Sequence, residues 1–313
     1  MKKKVLAMVL AAAMTASMLA GCSGSGSDKA ENTAAADTEE TTSDSAEQTD
    51  APAEGEEKTI GFVQLIDMAD ATLMKDAFMK KIEESGKNIK VDFQDASGDQ
   101  TAMATMLQSF VDKEYDLVVP MLTPPAIAAA TTCADIPMIF MSVTEPVYAK
   151  LLTDMDQPTD MITGTSNRIP AEISLAAAET LTPSDGKTCV IMYNADQVNA
   201  VATKDGAVAY CEENGIKYEE KAYTDINTAL QIAQSLSKDD TAYVYVALDS
   251  TIANNFNQVG EALKEAQIPS YTAADAMVTG GGAFSFSIDY AEIGEMTADM
   301  VLAWYDGTPL SEL

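Results

Sequence analysis

The stretch DLVVPMLTPPAIAAATT, residues 116–132, decides how the chain is read. Leu117, Val118 and Val119 form a continuous apolar run, too short for a helix and without polar alternation. Such runs belong to strands buried on both faces, as in parallel sheets covered by helices. Thr123 follows, then two prolines, then an alanine-rich segment. Proline suits the first turn of a helix, because its missing N–H would have no partner there anyway. The stretch reads as a strand, a polar tip and a helix start, which is one step of a βα repeat.

The same pattern runs outward in both directions. Before it, TIGFVQLI (59–66) is a strand and ATLMKDAFMKKIEESG (71–86) a helix that carries Leu73, Ala77, Phe78 and Ile82 on one face and stops at Gly86. IKVDFQDA (89–96) is a strand, and DQTAMATMLQSFVDKE (99–114) a helix opened by Asp99 as N-cap. After it comes the strand IPMIFM (136–141), and then TGTSNRIP (163–170) interrupts the pattern. The alternation restarts with the strand KTCVIMYN (187–194), the helix 198–215, the strand IKYEEKAY (216–223) and the helix 226–237. TAYVYVAL (241–248) is a strand, STIANNFNQVGEALKEAQ (250–267) one helix, IPSYTA (268–273) and GGAFSFSID (281–289) strands, and 290–307 a last helix. The expected fold class is α/β: two Rossmann-like lobes with parallel sheets, joined by a hinge. The first lobe spans 58–165 and is completed by the chain returning at about 290–308; the second spans 166–289. The linking strands lie near 164–170 and 286–291.

The N-terminus reads differently. MKKKVLAMVLAAAMTASMLAGC (1–22) places three lysines before an apolar stretch that ends in small residues, the layout of an export signal. LAGC (19–22) resembles a lipobox. That resemblance implies removal of residues 1–21 and acylation of Cys22 with chains such as palmitate; two acyl chains are what stable anchoring requires. Residues 23–57 hold eleven acids and one lysine with no aromatic, a composition that reads as an acidic disordered tether within 22–57.

Composition excludes several functions. The chain has 313 residues, 19 Lys and Arg against 49 Asp and Glu, and no histidine. No basic stripe is available for nucleic acid. Without histidine, a Ser-His-Asp or Cys-His pair cannot exist, and no CxxC or CxxH spacing suggests zinc. No metal or cofactor is expected. Cys133, Cys189 and Cys211 are an odd set for an extracellular disulfide framework. Cys189 and Cys211 fall at ends of a βα unit that share one side of the sheet, so a bridge between them and three buried thiols both remain open.

In parallel α/β sheets, ligands bind beyond the carboxyl ends of the strands. The polar residues at those ends are Gln64, Thr123, Ser142, Thr144, Glu145, Asn194, Asp249, Ser250, Asp275 and Asp289. Several precede helices, whose first N–H groups and dipole suit a carboxylate. Each one taken singly reads equally as a helix cap, Thr123 among them. Taken together, tips from both halves point to one cleft.

The segments IGFVQL (60–65), LTPPAIAAA (122–130), IPMIFMSVTEP (136–146), TGTS (163–166), YNADQVNA (193–200), ALDST (247–251) and SIDYAEIG (287–294) together resemble the tryptophan/tyrosine-type ABC-transporter substrate-binding lipoproteins, which have a type I periplasmic-binding-protein fold. The resemblance implies a binder rather than an enzyme. It would be a monomer on the outer face of the cell membrane, lipid-anchored, that hands an amino-acid-like solute, best an aromatic amino acid, to an ABC permease. It also implies polar cleft positions at Gln64, Thr123, Ser142, Thr144, Asn194, Asn199, Asp249 and Asp275, with Ser250 where relatives commonly carry Asn. Relatives often have His and Pro where this chain reads IDMADA (66–71), and Ser where Ala200 stands. They usually continue past DGTPLSEL with a segment returning to the second lobe, so a further C-terminal segment is expected.

A free amino acid offers an ammonium and a carboxylate. Asp249, Asp275 or Glu145 are candidates for the ammonium. Arg168 is the only arginine and reads as a hinge or surface ion pair, so hydroxyls and helix-start N–H groups would serve the carboxylate. The alternative function is a lipid-anchored sensing module that reports a ligand to a membrane sensor kinase or chemoreceptor.

Overall fold

The computed structural model describes residues 55–313. The export signal 1–21, Cys22 and the tether up to residue 54 lie outside the described residues.

Two five-stranded sheets form the frame. The first contains β1 (Lys58–Gln64), β2 (Ile89–Asp95), β3 (Leu117–Pro120), β4 (Met138–Phe140) and β5 (Ile162–Gly164), in the order β2-β1-β3-β4-β5. The second contains β6 (Thr188–Asn194), β7 (Tyr218–Tyr223), β8 (Thr241–Val246), β9 (Ser270–Thr272) and β10 (Phe284–Ser285), in the order β10-β9-β8-β6-β7. Counted from the first strand of each half, the two orders are the same. Every strand pair is parallel.

Side-chain alternation assigns the faces. Ile60, Phe62, Leu117, Val119 and Ile139 meet α1 (Ala69–Glu84) and α10 (Tyr290–Tyr305) on one face of the first sheet. Val63, Val118, Met138 and Phe140 meet α2 (Gln100–Asp112) and α3 (Thr123–Thr132) on the other. At the centre, Phe62 makes edge-to-face contacts with Phe78 and Phe93, at centroid distances of 5.1 and 5.2 Å. In the second lobe, Val190, Met192, Val244 and Val246 pack under α6 (Ile226–Ser235) and α8 (Phe256–Glu265). Cys189, Ile191, Tyr243 and Tyr245 pack under α4 (Ala171–Leu181) and α5 (Val198–Asn214). Period two along the strands, with helices on both sides, fills both faces.

The chain crosses between lobes after β5 and again before α10. α10 packs on the first sheet, and the turn Leu310–Glu312 follows it there, where the Thr163 hydroxyl donates to the Leu313 carbonyl at 3.3 Å. Residues 55–57, the end of the stretch expected as tether, touch this lobe: the Asn88 amide donates to the Gly55 carbonyl and the Tyr305 hydroxyl to that of Glu56.

Several elements differ from expectation. The helix expected over 250–267 is two, α7 (Ser250–Ala253) and α8. The break falls at Asn254 and Asn255, and the Asn255 amide donates to the Thr251 carbonyl at 3.0 Å, a local bond that competes with helix continuation. The strand expected over 281–289 pairs only at Phe284–Ser285. β5, α4 and the short α9 (Asp275–Thr279) have no counterpart in the sequence reading. Cys133, Cys189 and Cys211 are free and buried, so no bridge joins the latter two. Burial pushes the Cys133 thiol up to about 11.

α10 reaches α1 because Gly294 lets the backbones touch: a Cβ there would stand 2.2 Å from the Met74 carbonyl oxygen. Gly294→Ala should therefore push the helices apart and destabilise by about 1–3 kcal/mol. Gly206, inside α5, has no neighbour nearer than 4.0 Å to such an atom. Gly206→Ala should stabilise by about 0.5–1 kcal/mol through helix propensity alone. Urea unfolding midpoints of the two variants check both signs.

Candidate functional site

The carboxyl ends of both sheets open into one cleft, with an empty volume of about 450 Å³ counted out to its mouth. The first lobe contributes the start of α1, the β3–α3 junction and the segment after β4. The second contributes the starts of α5 and α7.

Two neighbouring strands of the first lobe end in strained backbone. Leu122, after β3, has φ 72°, and Ser142, after β4, has φ 61°. A non-glycine residue in this region costs on the order of 1–3 kcal/mol and persists only where its surroundings enforce it. Here the enforcing bonds are Leu122 N–H to the Met141 carbonyl at 2.8 Å and Ser142 N–H to the Thr165 hydroxyl at 3.2 Å. The bends turn Ser142 and Thr123 into the cleft. Thr123 is not the cap of α3, as the sequence suggested. Leu122 occupies the N-cap position without a side-chain hydrogen bond, and Thr123 is the first helical residue. Pro124 and Pro125 follow, so this helix start lacks two of the N–H groups an anion would use.

Asp249 closes the opposite wall. It caps α7, and its Oδ1 accepts from the N–H groups of Thr251 (2.8 Å) and Ile252 (3.1 Å) and from the Asn194 amide (3.3 Å). Its Oδ2 accepts from the Tyr223 hydroxyl at 2.5 Å. Burial pushes this carboxyl above its usual range, and the four bonds oppose that rise. Beside it, the Gln197 amide donates to the Ser250 hydroxyl at 3.2 Å. The Asn199 amide donates to the Leu248 carbonyl at 2.7 Å. Only the NH₂ end can bond a carbonyl, so the Asn199 oxygen is the free end.

Of the residues expected from sequence, Thr123, Ser142, Thr144, Asn199, Asp249 and Ser250 line this cleft. Three do not. Gln64 is buried at the tip of β1 and donates to Asp95, its register partner on β2, at 2.9 Å. Asn194 stands behind Asp249 and holds it. Asp275 is exposed at the start of α9. Glu145 is taken by Arg168 at 2.8 Å and is absent from the lining.

The sequence reading missed Asp70, Asn167, Gln197 and Tyr290, and the apolar contributions of Met68, Met74 and Leu122. Gln197 and Tyr290 sit at helix starts directly after strand tips, so the tip rule extended by a few residues would have reached them. Three buried polar atoms around the cleft have no partner within the described residues: Ser142 Oγ, Asn167 Oδ1 and Asn199 Oδ1. Leaving such an atom unpaired costs about 1–3 kcal/mol, so their clustering marks a place built to receive polar groups. Among the described residues, no group of acids and cysteines is arranged to hold a metal ion.

Comparison with known proteins agrees with this geometry. A tyrosine-binding protein of Clostridioides difficile (strain R20291) is 29% identical over 317 residues, covering 99% of this chain and 86% of that protein. An ABC domain in complex with L-Trp from Streptococcus pneumonia superposes with a TM-score of 0.73 at 27% identity, covering 82% of this chain and 88% of the other. The ligand-free, open structure of a substrate binding protein with adhesive properties from Clostridium difficile superposes with a TM-score of 0.65 at 29% identity, with 82% and 88% covered. The family model for ABC transporter substrate binding proteins matches residues 69–313, and the chain belongs to that family of binding proteins.

Proposed function

We propose that this protein captures an aromatic amino acid, tyrosine or tryptophan, between its lobes and hands it to the permease of an ABC importer, while held at the outer face of the cell membrane through an acylated Cys22. The observation that carries the reading is the cleft itself. It has unpaired buried polar atoms at Ser142, Asn167 and Asn199, and apolar cover from Met68, Met74, Leu122, Leu248 and Tyr290. Thioether sulfurs pack well against ring edges, which suits an aromatic side chain against Met68 and Met74. The hydroxyls of Thr123, Ser142, Thr144 and Ser250 serve the ligand's polar end, and Asp249 shapes the wall they face. Asn194 and Gln64 act as positioning residues. The tyrosine-binding and tryptophan-bound relatives support this choice of ligand. No helix among the described residues is long and apolar enough to cross a membrane.

Capture proceeds by hinge closure about the two crossings, near 165–170 and 286–289. The present arrangement lies nearer the ligand-bound relative than the open one, by TM-score 0.73 against 0.65 at similar identity. A contact bridges the mouth: the Tyr148 hydroxyl of the first lobe donates to Asp205 of the second at 3.1 Å.

Calorimetry and thermal shift of the full chain in detergent test the ligand. L-Tyrosine or L-tryptophan should give the largest shift, worth about 4 kcal/mol at a thousand times Kd, with leucine and uridine well behind. A larger response to a non-aromatic amino acid would overturn the ligand assignment. Tyr148→Phe should weaken ligand binding two- to fivefold, the worth of about 0.5–1 kcal/mol for one exposed hydrogen bond, and leave the urea midpoint unchanged. Unchanged affinity in that variant would remove the bridging contact from the closure.

A further inference from the structure

Asp70 is the exception among the acids around the cleft. It lies in the first turn of α1 and lines the cavity, yet it is only 8% exposed. Among the described residues it accepts no hydrogen bond and has no ion-pair partner. Asp275 is exposed, and the other acids of the region are engaged. Asp249 accepts four hydrogen bonds, Glu145 holds Arg168, and Asp289 caps α10 through Ala291 N–H (2.9 Å) and Glu292 N–H (3.2 Å). The lysine one turn along, Lys75, is paired with Asp76 at 3.3 Å. No lysine or arginine lines the cavity. The groups that act on Asp70 from packed elements are the Asp275 carboxylate at the start of α9 and the Tyr290 phenol at the start of α10. Neither supplies a positive charge. Burial pushes the Asp70 carboxyl above its usual range, and Asp275 pushes it further the same way.

A carboxylate taken from water without a cation is costly, and the penalty is removed when a cation arrives in contact. We propose that Asp70 receives the ammonium of the bound ligand, and that the cleft selects by charge for the amine while meeting the carboxylate with neutral donors only. The chemical class admitted is the cationic aromatic amine, of which the amino acid is one member. This rests on the aromatic reading above and adds a charge rule to it. Asp70 is the better seat for the ammonium than Asp249, whose oxygens already accept four bonds. The start of α3 offers little to a carboxylate, because Pro124 and Pro125 have no N–H.

The test titrates the full chain calorimetrically with three compounds: L-tyrosine, its decarboxylated amine tyramine, and its deaminated acid 3-(4-hydroxyphenyl)propionate. The amine should bind within about tenfold of tyrosine, and the acid on the order of 10²-fold more weakly. Asp70→Asn should lose on the order of 10²-fold for tyrosine and tyramine and should not weaken the acid. The same variant should unfold at a higher temperature than the wild type without ligand at neutral pH. Asp70 binds its proton more tightly when folded, so its contribution to stability is full at low pH and is lost as pH rises through the raised value. The advantage of Asp70→Asn should therefore shrink as pH falls into the carboxylate range. Tyrosine binding that survives Asp70→Asn, or an acid that binds as well as the amine, overturns the inference and leaves the aromatic reading standing. Silence from all three compounds sinks both.

Discussion

Everything in this molecule depends on the strands of each sheet being parallel. In a parallel sheet each strand must be followed by a crossover on one face or the other, so both faces become core and neither is free to bind. The carboxyl ends are what remain. There each strand releases a short polar tip and a helix begins. Two such sheets, built in the same strand order and set with those ends facing, bring the tips of both into one gap. The cleft is a consequence of topology before it is a consequence of particular side chains.

Those side chains then work against stability. Leu122 and Ser142 hold positive φ angles. Ser142, Asn167 and Asn199 each bury a polar atom without a partner. Asp70 buries a carboxylate without a cation. The surrounding frame can tolerate this because it is well packed: Phe62 meets Phe78 and Phe93 edge to face, β3 and β8 are buried along their whole length, and α10 is held against α1 at Gly294. Three of the buried polar atoms without a partner, on Ser142, Asn167 and Asn199, stand where another molecule can satisfy them.

The frame was legible in the sequence wherever a strand was long and apolar. KTIGFVQ, TCVIMYN and TAYVYV declare themselves by composition, and the helices between them by spacing and by a cap such as Asp99, which accepts from two backbone N–H groups. Short elements were not legible. β5 is three residues long and exists because β4 lies beside it. α4 follows a segment that reads as an interruption, and its small residues Ala171 and Ala178 take their role from packing on the second sheet. At the site, the tip rule reached the cleft lining at Thr123, Ser142, Thr144, Asp249 and Ser250. It failed at Gln64, because sheet register sets Asp95 beside it, and at Asn194, because Asp249 needs its amide. Asp70 was missed because α1 begins at Ala69 rather than at residue 71, which draws the aspartate out of a loop and into a helix turn facing the gap. Asn167 belongs to a crossing, whose position no local pattern encodes.

The distribution of charge gives the cleft a further property. Asp70 belongs to the first lobe, and Asp249 and Asp275 to the second. Asp275 already raises the Asp70 carboxyl in this arrangement, which means that like charges from opposite lobes feel one another. Bringing the lobes together without a cation is therefore opposed by electrostatics as well as by desolvation. A ligand shifts such an equilibrium only by the difference in its affinity for the two forms. If Asp70 seats an ammonium, the charge that neutralises the cleft meets acids from both lobes only when they are shut. The same cation would then provide both recognition and the drive to close, and an uncharged analogue of equal shape would supply neither.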